Sequence, residues 1–197
     1  MARTIAKDHD AKRQRILKTA ARVIADEGIA RASMAQIAEA CGISKANIYH
    51  YYASKDALLF GILDAYLSAL RDRLCGLDGA GLSPEARLHQ FTRETLLAYD
   101  GMDAEHKIQT EGLPMLPEDQ QEVLKAYQRD MVRRLSDVLR DAAPGVFEAD
   151  AGRLRATTMS VFGMLNWFYM WQPRAGARAR EDYAQLVADL TLGGIRN

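Results

Sequence analysis

Cysteine is scarce. Cys41 and Cys75 are the two in 197 residues, and their spacing fits no metal-ligand pattern. A disulfide framework and a zinc module are therefore not expected, and the pair reads as two reduced thiols of a cytoplasmic protein. A long apolar run is missing too. The richest stretch, residues 159–171, contains Ser160 and Asn166 and falls well short of the ~20 residues a membrane helix needs. The opening M-A-R-T-I-A-K-D-H-D offers no apolar core for a secretory leader. No glycine-rich phosphate loop, nucleophile motif or cluster of metal-ligating side chains occurs. His106, Glu111 and Cys75 are the nearest things to catalytic residues, and none sits in such a motif. No enzyme activity, metal or cofactor is expected. Apolar-polar alternation, internal repeats and heptads are also absent, which leaves an all-α chain.

Net charge is missing only in the sum. Lys and Arg number 26, as do Asp and Glu. Residues 1–55 hold ten Lys and Arg against five Asp and Glu, whereas residues 56–197 hold 16 against 21. A basic head on an acidic body suits a nucleic-acid-binding domain attached to a separate regulatory one. Hydrophobic residues make up 48% of the chain, enough for a sizeable core.

What is present is concentrated in residues 33–55, S-M-A-Q-I-A-E-A-C-G-I-S-K-A-N-I-Y-H-Y-Y-A-S-K. Ser33 is placed to cap a short helix whose inner face is Ile37 and Ala38. Gly42 falls where a left-handed turn residue is needed. Ile43 continues the core and Ser44 caps a second helix. Ile48 and Tyr51 face inward, leaving Lys45, Ala46, Asn47, Tyr49 and His50 outside. This is the pattern of a helix-turn-helix, whose second helix enters the major groove.

The stretch I-A-E-A-C-G-I-S-K-A-N-I-Y-H-Y-Y-A-S-K-D-A-L-L resembles the DNA-binding domain of the TetR family of bacterial repressors. Tyr52 stands where the family more often has Phe. The resemblance implies a nine-helix architecture, with residues 1–55 binding DNA and 56–197 binding ligand and dimerising. It also implies a palindromic operator and a homodimer. The DNA-facing positions it implies are Ser33, Lys45, Ala46, Asn47, Tyr49, His50 and Lys55. Their chemistry agrees: Lys45 suits guanine or phosphate, Asn47 suits adenine, and Tyr49 and His50 can donate to phosphate. Lys55 opposes the dipole at the start of its helix, which points to an anion partner such as DNA phosphate. Arg3 and Lys7, in a polar and disordered N-terminal tail, are further candidates for phosphate.

Further along, apolar periodicity and helix-boundary residues predict helices over about 11–27, 54–75, 83–100, 103–111, 117–143, 150–171 and 179–192. In the last, Tyr183, Leu186, Val187 and Leu190 form the expected inner face, and Gly193-Gly194 follow its end. The helix over 150–171 is apolar nearly all round in its second half and must be buried on more than one side. It supplies Phe162, Trp167, Phe168, Tyr169, Met170 and Trp171 as the wall of an effector pocket. Asn166 within it needs a hydrogen-bond partner on a neighbouring helix, a dimer mate or a ligand. By resemblance, His106, Gln109 and Thr110 line the same pocket, although a satisfied surface histidine is the alternative for His106.

G-M-L-N-W-F-Y-M-W, and H-K-I-Q-T-E followed by L-P-E-D-Q-Q, resemble the TetR-family regulators of fatty-acid and phenylacetate breakdown. This implies an acyl-CoA or aryl-CoA thioester as effector, with Lys125, Arg129, Arg133, Arg134, Arg174 and Arg178 as cations for its phosphates. The other readings left open are an unrelated hydrophobic effector and a ligand-independent DNA binder.

Overall fold

The computed structural model describes the backbone of residues 2–196 and the side chains of residues 9–195. Among the described residues are ten α-helices, one 3-10 helix and no strand. The helices are α1 (Ala2–Glu27), α2 (Met34–Ala40), α3 (Lys45–Tyr51), α4 (Lys55–Cys75), α5 (Pro84–Ala98), α6 (Asp103–Gly112), α7 (Glu118–Ala142), α8 (Pro144–Phe147), α9 (Ala151–Trp171) and α10 (Ala177–Arg196). The 3-10 helix is Leu113–Met115. They form two compact units. One comprises Met1–Tyr66 with Ala104–Leu124, the other Leu67–Asp103 with Lys125–Asn197.

In the first unit, local chemistry sets the ends of α2 and α3. The Ser33 Oγ accepts from the Gln36 backbone N–H, and Gln36 Oε1 accepts from the Ser33 backbone N–H, a capping box. Ser44 Oγ accepts from the Asn47 N–H at 3.1 Å. Between them Gly42 takes φ +67°, and the Ile43 N–H reaches back to the Ala38 carbonyl at 3.0 Å. The turn thus closes on backbone bonds that require a left-handed residue. Ile16, Leu17, Ala20 and Ile24 of α1 share a core with Ile37, Ala38, Ile48 and Tyr52. Tyr51, expected inside, is only half-buried. The deep aromatic place beside Ile48 is taken by Tyr52, the residue that ends α3.

Helix α1 is longer than expected. Residues 2–10, read as a disordered tail, continue it without a break, since neither Gly nor Pro interrupts them. The side chains of Arg3 and Lys7 lie outside the described residues. Helix α6 belongs to this unit. Lys107 Nζ donates to the Ala25 carbonyl at 2.6 Å, and a Cβ on Gly112 would stand 3.2 Å from the side chains of Ile29 and Leu59.

In the second unit Ser83 caps α5 and Pro84 opens it, as expected of a first-turn proline. Leu88, Phe91 and Leu96 are buried on α5, and Val187 and Ala188 on α10; these two helices pack closely. The tenth helix, beyond the expected nine, is the single turn α8. Pro144 does stop α7, but its fixed φ also starts a new turn, and Phe147 is buried at its end. Helix α10 runs through Gly193-Gly194 rather than ending before them. Burial of Ile195 on the far side offsets the roughly 1 kcal/mol that each glycine costs a helix.

Leu186 and Leu190 are exposed, a correction to their expected inner position. The face of α10 turned to the core is the one carrying Ala184, Val187, Ala188 and Thr191. A stripe one residue away on the helical wheel is thereby left out.

The fit around Tyr52 makes a measurable point. A Cβ on Gly61 of α4 would lie 2.9 Å from the Tyr52 ring and 3.3 Å from Leu17, both buried. Gly61→Ala should destabilise the protein by about 1–3 kcal/mol through overpacking, read as a lower urea midpoint. An unchanged or raised midpoint would contradict the packing described.

Candidate nucleic-acid interface and effector residues

The outer face of α3 is contiguous and polar. Lys45, Ala46, Asn47, Tyr49 and His50 are all exposed, while Ile48 is fully buried beneath them. His50 meets Tyr51 edge-on with ring centroids 5.6 Å apart, and His9 of α1 stacks on Tyr51 at 4.9 Å. Ser33 is exposed at the start of α2, but its hydroxyl is engaged, donating to Gln36 Oε1 at 2.8 Å.

Lys55 is different. Its Nζ donates to the carbonyls of Ile29 (2.8 Å), Ala30 (3.2 Å) and Ala32 (3.1 Å). All three ammonium hydrogens are therefore used within the chain. The cation that looked misplaced at the start of α4 is answered by three carbonyl dipoles of the α1–α2 loop. The inference from that charge to an external anion is corrected accordingly. Ser54 caps α4 as expected, accepting from the Ala57 N–H at 3.0 Å.

Tyr52 also has a partner the sequence did not disclose. Its hydroxyl accepts from Arg13 Nε at 3.1 Å, and the guanidinium lies 5.7 Å from the ring centroid. Burial pushes the Tyr52 hydroxyl pKa up, with Arg13 pulling the other way. Burial likewise raises the thiols of Cys41 and Cys75, both free, so neither is an activated nucleophile.

The expected effector residues fall in both units. His106, Gln109 and Thr110 are in the first unit, and Phe162, Asn166, Trp167, Tyr169 and Met170 are in the second. The Nδ1 of His106 is 2.9 Å from the hydroxyl of buried Tyr66, which makes it a satisfied histidine. Gln109 is half-buried and Thr110 exposed.

On α9, Phe162 is buried edge-on against Phe91. Asn166 accepts from the Tyr99 hydroxyl at 2.6 Å; of its three possible partners, the neighbouring helix is the one realised. Tyr169 is half-buried on the same side. Trp167 and Met170, 61% and 52% exposed, point the other way. At about 100° per residue, positions 162, 166 and 169 fall together, and 167 and 170 lie on a different face. The wall expected from Phe162, Trp167, Phe168, Tyr169, Met170 and Trp171 is thus divided between buried or half-buried positions and exposed ones.

Phe168 and Trp171 instead join Tyr183 of α10 in an aromatic cluster with centroids 4.9–5.1 Å apart. The cations proposed for phosphate are dispersed. Arg134 donates to the Leu77 carbonyl, Arg133 lies 3.6 Å from Asp130, and Arg178 lies 4.0 Å from Asp182.

Arg180 escaped sequence reading altogether. It is 2% exposed and donates to the carbonyls of Ala175 and Leu96. Asp100 and Asp103 stand 3.6 and 3.8 Å away, and its guanidinium lies 5.7 Å from the centre of the Phe168 ring. An arginine in the first turn of a helix reads as solvated, and no local signal marks this one as buried.

Two capped seven-residue helices, a left-handed glycine between them and a polar outer face on the second define a helix-turn-helix of the kind used by DNA-binding regulators. Residues 16–62 match the family model for bacterial regulatory proteins of the tetR family, and residues 81–195 match that for the tetracyclin repressor-like C-terminal domain. The chain belongs to the TetR family, a family of transcriptional regulators rather than enzymes.

Among solved structures it is similar to a TetR-family transcriptional regulator from Bordetella parapertussis. That likeness has a TM-score of 0.83 at 31% identity over 91% of this chain and 93% of that one. It is also similar to AibR in complex with isovaleryl coenzyme A and operator DNA (TM-score 0.76, 26% identity, 91% of this chain and 97% of that one). Among curated proteins, the regulator BetI of Rhizobium meliloti is 32% identical over 87 residues. That match takes in 44% of this chain and only 43% of BetI, less than half of that relative's length.

The clamp on the α1–α2 loop yields a prediction. Lys55→Met keeps the aliphatic stem and removes three charge-assisted bonds. It should lower unfolding stability by about 1.5–3 kcal/mol, measured by chemical denaturation. Wild-type stability in the variant would show that the three bonds contribute nothing.

Proposed function

We propose that this protein is a homodimeric transcriptional repressor, with the chain up to about residue 55 binding a palindromic operator and the remainder dimerising and sensing an acyl-CoA or aryl-CoA thioester. The observation that carries the DNA reading is the exposed outer face of α3, with Asn47 and Lys45 free of the core that Ile48 anchors. Asn47 suits bidentate pairing with adenine and Lys45 suits guanine O6 and N7. Ser33, Ala46, Tyr49 and His50 complete the contact surface. Lys55 positions the motif through the α1–α2 loop.

The dimer reading is supported by two apolar stripes left exposed among the described residues. Met159, Gly163, Trp167 and Met170 fall on one exposed face of α9, and Leu186 and Leu190 are exposed on α10. Exposed apolar rows on two long helices mark an interaction surface. Paired with a second copy they would form a four-helix bundle, an interface on the order of 2,000 Å² or more. Trp167→Glu should yield a folded monomer in sedimentation velocity at micromolar concentration. A parent protein that is itself a folded monomer at that concentration would remove the dimer from the proposal.

The thioester reading is supported by the likeness to AibR, whose structure holds isovaleryl coenzyme A, and by the apolar N-W-F-Y-M-W run of α9. The coupling would be a population shift: ligand favours a form whose two heads no longer match the half-site spacing. Helix α4 is continuous from Lys55 to Cys75, and α6 is tied to α1 through Lys107. In this proposal they carry the change to the head. Tenfold weaker DNA binding needs about 1.4 kcal/mol of coupling.

Asn47→Ala should relax base preference on a selected operator while leaving non-specific binding intact. An operator-release titration should show release by acyl- or aryl-CoA thioesters and none by the matching free acids or CoA alone. Release by a free acid or an unrelated hydrophobic compound, with thioesters inert, would overturn the thioester part. Operator binding that no small molecule affects would favour a ligand-independent regulator.

A further inference from the structure

Beside the recognition helix, and wholly within the first unit, lies a cleft of about 420 Å³. One wall is α1, contributing Lys12, Arg15 and Thr19; the other includes Asn47 and Tyr51 of α3. The three α1 residues are spaced three and four apart, so they share a helix face. Among the described residues no carboxylate lines the cleft, while two cations do. Cys41, also in the lining, bonds to the Thr19 side chain and feels the positive charge of Arg15. His9, one turn before Lys12, stacks on Tyr51. That contact docks the early part of α1 alongside α3 and fixes the cleft next to the proposed base-reading face.

From this arrangement we infer that the cleft formed by Lys12, Arg15, Asn47 and Tyr51 is an anion site, and that its occupant is a backbone phosphate of the operator. A cleft lined by two cations attracts an anion. The occupant is DNA because Asn47 stands at once in this cleft and on the outer face of α3, so a phosphate there is continuous with the bases α3 reads. Phosphate contacts of this kind fix register on the duplex and carry no sequence information. The site extends the DNA footprint from α2 and α3 onto α1, and it rests on the DNA-binding reading above.

The test measures the salt dependence of binding for the full-length parent, Arg15→Gln, Lys12→Gln and Lys18→Gln, on the selected operator and on an unrelated duplex. Lys18 is exposed but does not line the cleft, and it controls for charge alone. Each neutralised phosphate contact accounts for roughly 0.9 of the slope of log K against log salt. The cleft holds one phosphate per half-site, so loss of the whole site would flatten a dimer's slope by about 1.8; each cleft substitution should make the slope shallower, up to that limit, on both duplexes, with base preference unchanged and Lys18→Gln matching the parent.

Phosphate-ethylation interference on the operator should show one phosphate per half-site that matters to the parent and not to Arg15→Gln. Inorganic phosphate should compete no better than chloride at equal ionic strength. Preferential competition by inorganic phosphate would make the cleft a free-anion site and overturn the assignment to DNA. Parent-like slopes in both cleft variants, or an equal change in Lys18→Gln, would overturn the site while leaving the regulator reading in place. A parent that binds no duplex would overturn both.

Discussion

The DNA-binding head depends on one half-buried cation. Lys55 Nζ gathers three carbonyls from the loop that follows α1. Those carbonyls have no helical partners of their own, since α1 has ended and α2 has not begun. Satisfying them from the first residue of α4 fixes three things together: the path from α1 to α2, the start of α4, and the position of the helix-turn-helix lying between those points. The nearby Tyr52 works in the same direction. Its ring fills the space left by Gly61, and its hydroxyl takes a bond from Arg13, so α1, the end of α3 and α4 are joined around one side chain.

The second unit solves the same problem with Arg180. A fully desolvated guanidinium is costly unless its donors are met. Here carbonyls of α5 and of the α9–α10 connection meet them, two aspartates stand near, and an aromatic ring covers one side. The residue therefore ties the end of α5 to the start of α10. Tyr99, whose hydroxyl burial keeps protonated, makes a second tie from α5 to Asn166 of α9. Both links leave the opposite faces of α9 and α10 uncommitted, and those are the faces where Trp167, Met170, Leu186 and Leu190 stand exposed.

The parts of the fold legible in the sequence share a physical origin. Ser33, Ser44, Ser54 and Ser83 each cap a helix through a backbone N–H no more than three residues away, and Gly42 turns the chain by its own φ. Such devices are complete within a handful of residues, so the order of the helices and the helix-turn-helix itself were determined by the sequence alone. The burial of Ile37, Ala38 and Ile48 followed from the same short-range periodicity.

What the tertiary structure decided concerns long side chains and the sides of apolar helices. Lys55 and Arg180 find their partners 23 to 26 and 84 residues away respectively, and no periodicity announces a carbonyl at that distance. In α9 and α10 the chain offers more apolar faces than one core can cover. Periodicity gives the spacing of a stripe, but neighbours choose which stripe is buried: Val187 rather than Leu186, Phe168 rather than Trp167. The one-turn α8 belongs here as well, since a proline both ends one helix and begins the next, and burial of Phe147 decides in favour of the second. Local hydrogen bonding fixed where the helices begin and end. Non-local packing fixed which of their atoms remain available for DNA, ligand or a second copy of the chain.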